Sequence, residues 1–162
     1  MTILFLHGWE STPGGKKPQY FQDHGHTVLN PALPADSFEE TLQIAQEAFD
    51  QDGPDIVIGS SRGGAAAMNL SSGETPLLLI CPAWKNWGEA KSVKSGTVIV
   101  HSPQDEIVPF AHSQELVTVS SSGVRLIEAG TDHRMADDET LAAILALAIS
   151  LTQKHRFNSS NF

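Results

Sequence analysis

The chain has 162 residues, 40% of them hydrophobic, which is enough for one domain with a sizeable core over residues 1–162. Its net charge of −9 and lack of any Lys/Arg run argue against nucleic acid or an anionic membrane surface as partners. A single cysteine, Cys81, excludes an intramolecular disulfide and fits a reducing compartment, so a cytoplasmic protein is expected. In chain order, an apolar run at 2–6 opens the sequence. It is too short for a signal peptide core, and no later stretch is long enough to span a bilayer. A helical pattern follows at 16–24 and a strand at 27–30. The next helix, 37–50, carries Phe38, Leu42, Ala45 and Phe49 at helical spacing, and Ser37 with Glu40 reads as a capping box. Strand 55–59 leads into helix 62–71. Strands at 77–81 and 97–101 follow, then helix 110–119, strand 124–128 and helix 136–153, with a polar tail at 155–162 expected to fray. Strands that alternate with helices and are apolar throughout predict an α/β protein, a parallel sheet covered on both faces.

Three stretches carry chemistry. Gly59-Ser60-Ser61-Arg62-Gly63-Gly64 lies between a strand and a helix, with Ser61 flanked at two residues by Gly59 and Gly63. That is the strand, sharp turn and helix in which a G-x-S-x-G motif presents a nucleophile. Asp105 follows the strand ending at His101, and His133 follows the strand ending at Glu128. All three therefore sit past the C-terminal ends of parallel strands, the edge where open α/β sheets bind ligands. A serine hydroxyl needs a neighbouring base to become a nucleophile. An imidazole can be that base, and a carboxylate can orient it and stabilise its charged form. The N–H of Arg62, following the nucleophile, is placed to stabilise an oxyanion.

On these residues the chain resembles a small, cap-less member of the α/β-hydrolase superfamily, similar to short bacterial esterases. The order Ser61, Asp105, His133 is that of the superfamily, and the match runs from His7-Gly8-Trp9 to His133. The resemblance implies six parallel strands in the order 2-1-3-4-5-6 and a three-layer α/β/α arrangement. The family's usual first two strands are missing. It also implies an oxyanion hole completed by the N–H of Trp9. Between Pro82 and Gly96, where many relatives carry a helical cap, this chain has room for a loop or one short helix, so an open site is expected. A serine esterase or thioesterase acting on a small acyl substrate, without a cofactor, is the implied function; a binding or receptor protein that keeps the fold is the alternative.

The remaining polar and aromatic residues leave choices open. Trp84 and Trp87 either line the substrate pocket or cover core that the missing cap leaves bare. Arg62 reads either as a recogniser of an anionic substrate group or, more commonly for such a residue, as half of a surface salt bridge. His7 is expected to brace the oxyanion loop, and His101 to lie beside the site. The histidines lack ligand-like spacing, so no metal is expected. Asp132 and Glu106 are the rival acids, better suited to capping or facing solvent.

Overall fold

Residues 2, 4 and 6 of a strand face one way and residues 3 and 5 the other. The two sets therefore need two covering layers when all are apolar. The computed structural model, which describes residues 1–9 and 11–159, shows this arrangement. Its strands are β1 (Thr2–Leu6), β2 (Thr27–Leu29), β3 (Ile56–Ser60), β4 (Leu77–Ile80), β5 (Val98–His101) and β6 (Arg125–Glu128). They form an all-parallel sheet in the order β2-β1-β3-β4-β5-β6, as the resemblance implies. The helices are α1 (Lys16–Asp23), α2 (Phe38–Asp52), α3 (Arg62–Met68), α4 (Phe110–Val119) and α5 (Asp138–Ser159). Ile3, Phe5, Ile58, Ile80 and Val100 pack with Phe21 of α1 and with Ile144, Ala148 and Leu151 of α5. Leu4, Leu6, Val57, Leu79 and Ile99 pack with Ala45 of α2, Ala66 of α3 and Leu116 of α4. The central strands are buried along their whole length, whereas edge strand β6 exposes Arg125 and Glu128. Polar groups at an edge discourage pairing with another chain.

Local chemistry sets the helix ends. Ser37 caps α2, its Oγ accepting the Glu40 N–H at 3.1 Å. Helix α3 stops at Met68, earlier than expected, because Asn69 turns back on it: Nδ2 donates to Ala65 O at 2.8 Å. The Asn69 Oδ1 accepts the N–H groups of Glu89 and Ala90, which ties the connection between β4 and β5 to the end of α3. That connection contains turns and bends but no helix. At the other end of the chain, α5 runs to Ser159, through much of the segment expected to fray. Arg156 Nη2 donates to Asp55 Oδ1 at 2.8 Å, and Thr152 Oγ1 reaches Met1 Sδ at 3.7 Å, so the last turns are anchored to the start of the sheet. The rest of that tail, residues 160–162, lies outside the described residues.

The chain leaves β1 towards β2 on one side and returns to β3 on the other. The crevice at such a reversal of strand order is where the sheet can accept a ligand. His7-Gly8-Trp9 and Ser61 border it.

Candidate active site

Ser61 is the whole of the turn between β3 and α3. Its φ of 56° and ψ of −116° are strained for a residue with a side chain, at a typical cost of about 1–3 kcal/mol. Surrounding bonds hold it there. The Ser61 N–H donates to Ile80 O at 2.8 Å, and its carbonyl accepts from Gly64, Ala65 and Ala83. The flanking glycines are required by close approach. A Cβ on Gly59 would lie 2.3 Å from Gly63 O, and one on Gly63 would lie 2.0 Å from Leu6 O.

The turn aims Ser61 at a histidine from the opposite side of the crevice. His133 Nε2 lies 3.0 Å from Ser61 Oγ, and His133 Nδ1 lies 2.7 Å from Asp105 Oδ2. A carboxylate only accepts, so Nδ1 carries the proton and Nε2 accepts from the serine hydroxyl. The structure thus brings together the three residues singled out in the sequence, from the ends of β3, β5 and β6. Asp132 instead accepts the Met135 N–H at 3.0 Å through Oδ1, and Glu106 is exposed.

Asp105 is held by more than His133. Its Oδ1 accepts the N–H groups of Ile107 and Val108, each at 2.8 Å, and its Oδ2 also accepts from His101 Nε2 at 3.0 Å. Burial pushes the Asp105 carboxyl up. Hydrogen bonds from His133, Val108 and Ile107 outweigh it and hold the group below the usual carboxylate range. His101 is fully buried; its Nε2 also faces Val108 O at 3.0 Å, and its Nδ1 accepts from Ser113 Oγ at 2.7 Å. Burial lowers its pKa, so it stays neutral and fixes Asp105 by donation.

The ligand atoms of Cys81, His101 and Asp105 lie within 4.8 Å of one another, a grouping that sequence spacing does not show because it joins the ends of β4 and β5. Its donors are committed elsewhere. Asp105 and His101 are saturated by the bonds above, and burial followed by the Asp105 charge pushes the Cys81 thiol up, keeping it protonated.

Trp9, Ser61 and Arg62 all border the same cleft. The Arg62 N–H begins α3 and has no partner within the helix. Among the described residues, neither it nor the Trp9 N–H takes part in the backbone bonds of turns and loops. The Trp9 loop is braced as expected: His7 Nδ1 donates to Gly8 O at 2.8 Å, and His7 Nε2 accepts the Leu33 N–H at 3.1 Å. Trp9 Nε1 donates to Ala35 O at 3.0 Å, and the residue is 53% exposed.

The cleft beside Ser61 has a volume of about 720 Å³ and is bordered by Trp9, Arg62, Ala83, Asn86, Trp87, Ile107, His133 and Arg134, among others. The two tryptophans of the β4–β5 connection separate here. Trp87 borders the cleft, edge-on to Trp9 at 5.8 Å between centroids. Trp84 does not border it; its ring is buried in the α4 layer and its Nε1 donates to His112 O at 3.1 Å. Nor is Arg62 half of a surface salt bridge. Its side chain is 1% exposed and lies over the rings of Trp87 and Phe38, at 4.7 and 5.4 Å from the centroids.

No protein-family model matches the chain, and no curated protein matches it by sequence. Solved structures do match. Alpha/beta hydrolase domain-containing protein 10 from mouse superposes with a TM-score of 0.77 at 16% identity, over 94% of this chain and 90% of that one. The monoacylglycerol lipase of Paleococcus ferrophilus gives 0.72 at 14% identity, over 95% and 94%. The esterase domain from a Rhodothermus marinus protein gives 0.67 at 18% identity, over 96% and 86%. The chain therefore has the α/β-hydrolase fold over most of its length.

Proposed function

We propose that the protein is a serine hydrolase that cleaves small carboxylic esters or thioesters through an acyl-enzyme on Ser61. The observation that carries this reading is the unbroken line of hydrogen bonds from Ser61 Oγ through His133 to Asp105. His133 Nε2 takes the hydroxyl proton as Oγ bonds to the acyl carbon. The carbonyl oxygen becomes an oxyanion, which the N–H groups of Trp9 and Arg62 stabilise; one such donor is typically worth about 3–4 kcal/mol in the transition state. The intermediate collapses as the bond to the leaving group breaks, and His133 returns the proton to that group. A water then repeats the sequence on the acyl-enzyme, giving the acid and free Ser61. The esterase and lipase names of the structural neighbours agree with ester chemistry. Trp87, which borders the cleft together with Trp9, would contact the acyl group.

No helix covers the cleft from the β4–β5 connection, and each CH₂ buried in a deep pocket would contribute about 0.8 kcal/mol. A cleft without such a cover favours acyl groups of roughly two to six carbons, because longer ones gain no further burial. The test joins a fluorophosphonate probe to a graded ester and thioester panel. The wild type should be labelled at Ser61, Ser61→Ala should not, and a chelator should leave turnover unchanged. Absence of labelling would turn the reading towards a binding protein of this fold. Specificity that climbs through decanoyl esters would overturn the short-chain preference.

A further inference from the structure

Arg62 sits where a charge is costly. Its side chain is buried beside Ser61, and both Nε and Nη2 lack a hydrogen-bond partner. Those two nitrogens are not a random pair: Nε–H and one N–H of Nη2 point in parallel from the same edge of the guanidinium. That edge grips a carboxylate by two bonds. A buried guanidinium with an idle fork is unfavourable, and stacking on Trp87 and Phe38 offsets only part of the lost hydration. Asp36, the acid whose charge reaches it, is exposed and forms no ion pair with it.

The surroundings carry the same sign. The chain has 19 acidic residues against 10 Lys and Arg, yet the described residues bordering the cleft include Lys16, Lys17, Arg62 and Arg134 and no acid. Lys16 is paired with Asp138, and Lys17 Nζ donates to Arg134 O. Among the described residues the basic side chains of this border concentrate anions, against the net charge of the molecule.

We infer that the fork of Arg62 binds a carboxylate on the acyl half of the substrate, so that the natural substrates are half-esters or half-thioesters of short dicarboxylic acids. The inference rests on the serine-hydrolase reading. Trp87 stacks on the guanidinium from a connection that has neither helix nor strand, so a shift of that ring to admit a carboxylate leaves the sheet undisturbed. The second charge also gives a small acyl group the anchoring that the cleft cannot supply by apolar burial.

The experiment compares monomethyl esters of malonic to adipic acid with the methyl esters of the matching mono-amides, which keep the shape and lose the charge. Turnover is followed by proton release. In the wild type the best acid should exceed its amide by about tenfold or more in kcat/KM, chiefly through KM. Arg62→Met should bring that ratio close to one, and Arg62→Lys, which keeps charge without the fork, should leave it in between. If the wild type cleaves both series alike, or Arg62→Met keeps the ratio, the inference falls while the hydrolase reading stands. If Ser61 takes no probe and no ester is cleaved, the hydrolase reading falls, and calorimetric titration of glutarate and adipate decides the anion site alone. Binding to Ser61→Ala that vanishes on adding Arg62→Met supports the site, and no binding overturns it. Should Arg62→Met fail to fold, Arg62→Lys and Arg62→Gln carry the same comparison.

Discussion

Asp105 accepts hydrogen bonds from Ile107, Val108, His101 and His133, and its side chain is fully buried. Such a carboxylate is a fixed charge rather than a proton carrier: it sets the tautomer of His133 and stabilises its charged form. Replacing it by Asn presents an N–H₂ or a weaker acceptor to His133 Nδ1, so Asp105→Asn should lower kcat by about 10³–10⁴-fold. Undiminished turnover would move the acid elsewhere, with Asp132 next in line. The same bonds bear on stability. Because the folded pKa lies below the unfolded one, the contribution of Asp105 is complete above the ordinary carboxylate pKa of about 4. It is lost as pH falls further, through the folded value. Asp105→Asn should therefore flatten the acid limb of stability below about pH 4, read from denaturant midpoints at a series of pH values.

At the scale of elements, the elbow depends on contact between backbones that side chains would forbid. Gly63 in α3 lies against Leu6 and His7 of β1 and the loop after it, so this glycine sets the distance between Ser61 and the Trp9 loop. A Cβ 2.0 Å from Leu6 O cannot be absorbed by a rotamer change. Gly63→Ala should cost about 3 kcal/mol or more, at the upper end of overpacking, seen as a lower denaturant midpoint. An alanine variant as stable as wild type would mean that the helix can withdraw from the sheet. This level was well legible in the sequence. The alternation of apolar strands and patterned helices carries the layer architecture, and the Gly-x-Ser-x-Gly spacing together with the positions of Asp105 and His133 after strands carries the candidate site. Less legible was whatever depends on segments distant in sequence meeting in space. Phe38 and Trp87, from α2 and the β4–β5 connection, converge on Arg62 and bury it. No local pattern distinguishes that arginine from a surface one. Trp84 and Trp87 look alike in sequence, and the hydrogen bond to His112 O is what draws one of them inward. His101 reaches Asp105 only because the chain after β5 turns tightly back on the strand's end, as the i to i+4 spacing of the pair records.

At the scale of the molecule, the candidate site and the contacts that join α5 to the start of the chain occupy opposite edges of the sheet. Ser61, Asp105 and His133 follow the C-terminal ends of strands, whereas Met1 meets Thr152, and Asp55 bonds both the Thr2 N–H and Arg156, at their N-terminal ends. The ends can therefore be joined and new ones opened without touching the cleft. The reach of a Gly/Ser linker grows as roughly 5–6 Å times the square root of its length, and the linker is cut to match the span. Gly73, exposed between α3 and β4 with nothing within 4 Å of where a Cβ would stand, is a suitable point of opening. The circular permutant starting there would read Asp105, His133, Ser61, reversing the relation of nucleophile to base along the chain. It should fold, take the fluorophosphonate probe at Ser61 and turn over esters at a rate close to the parent's. Loss of labelling in a folded permutant would mean that continuity of the chain, and not only the meeting of strand ends, holds the serine in place. The chemistry depends on where the strand ends meet, and the order in which the chain visits them is free to change.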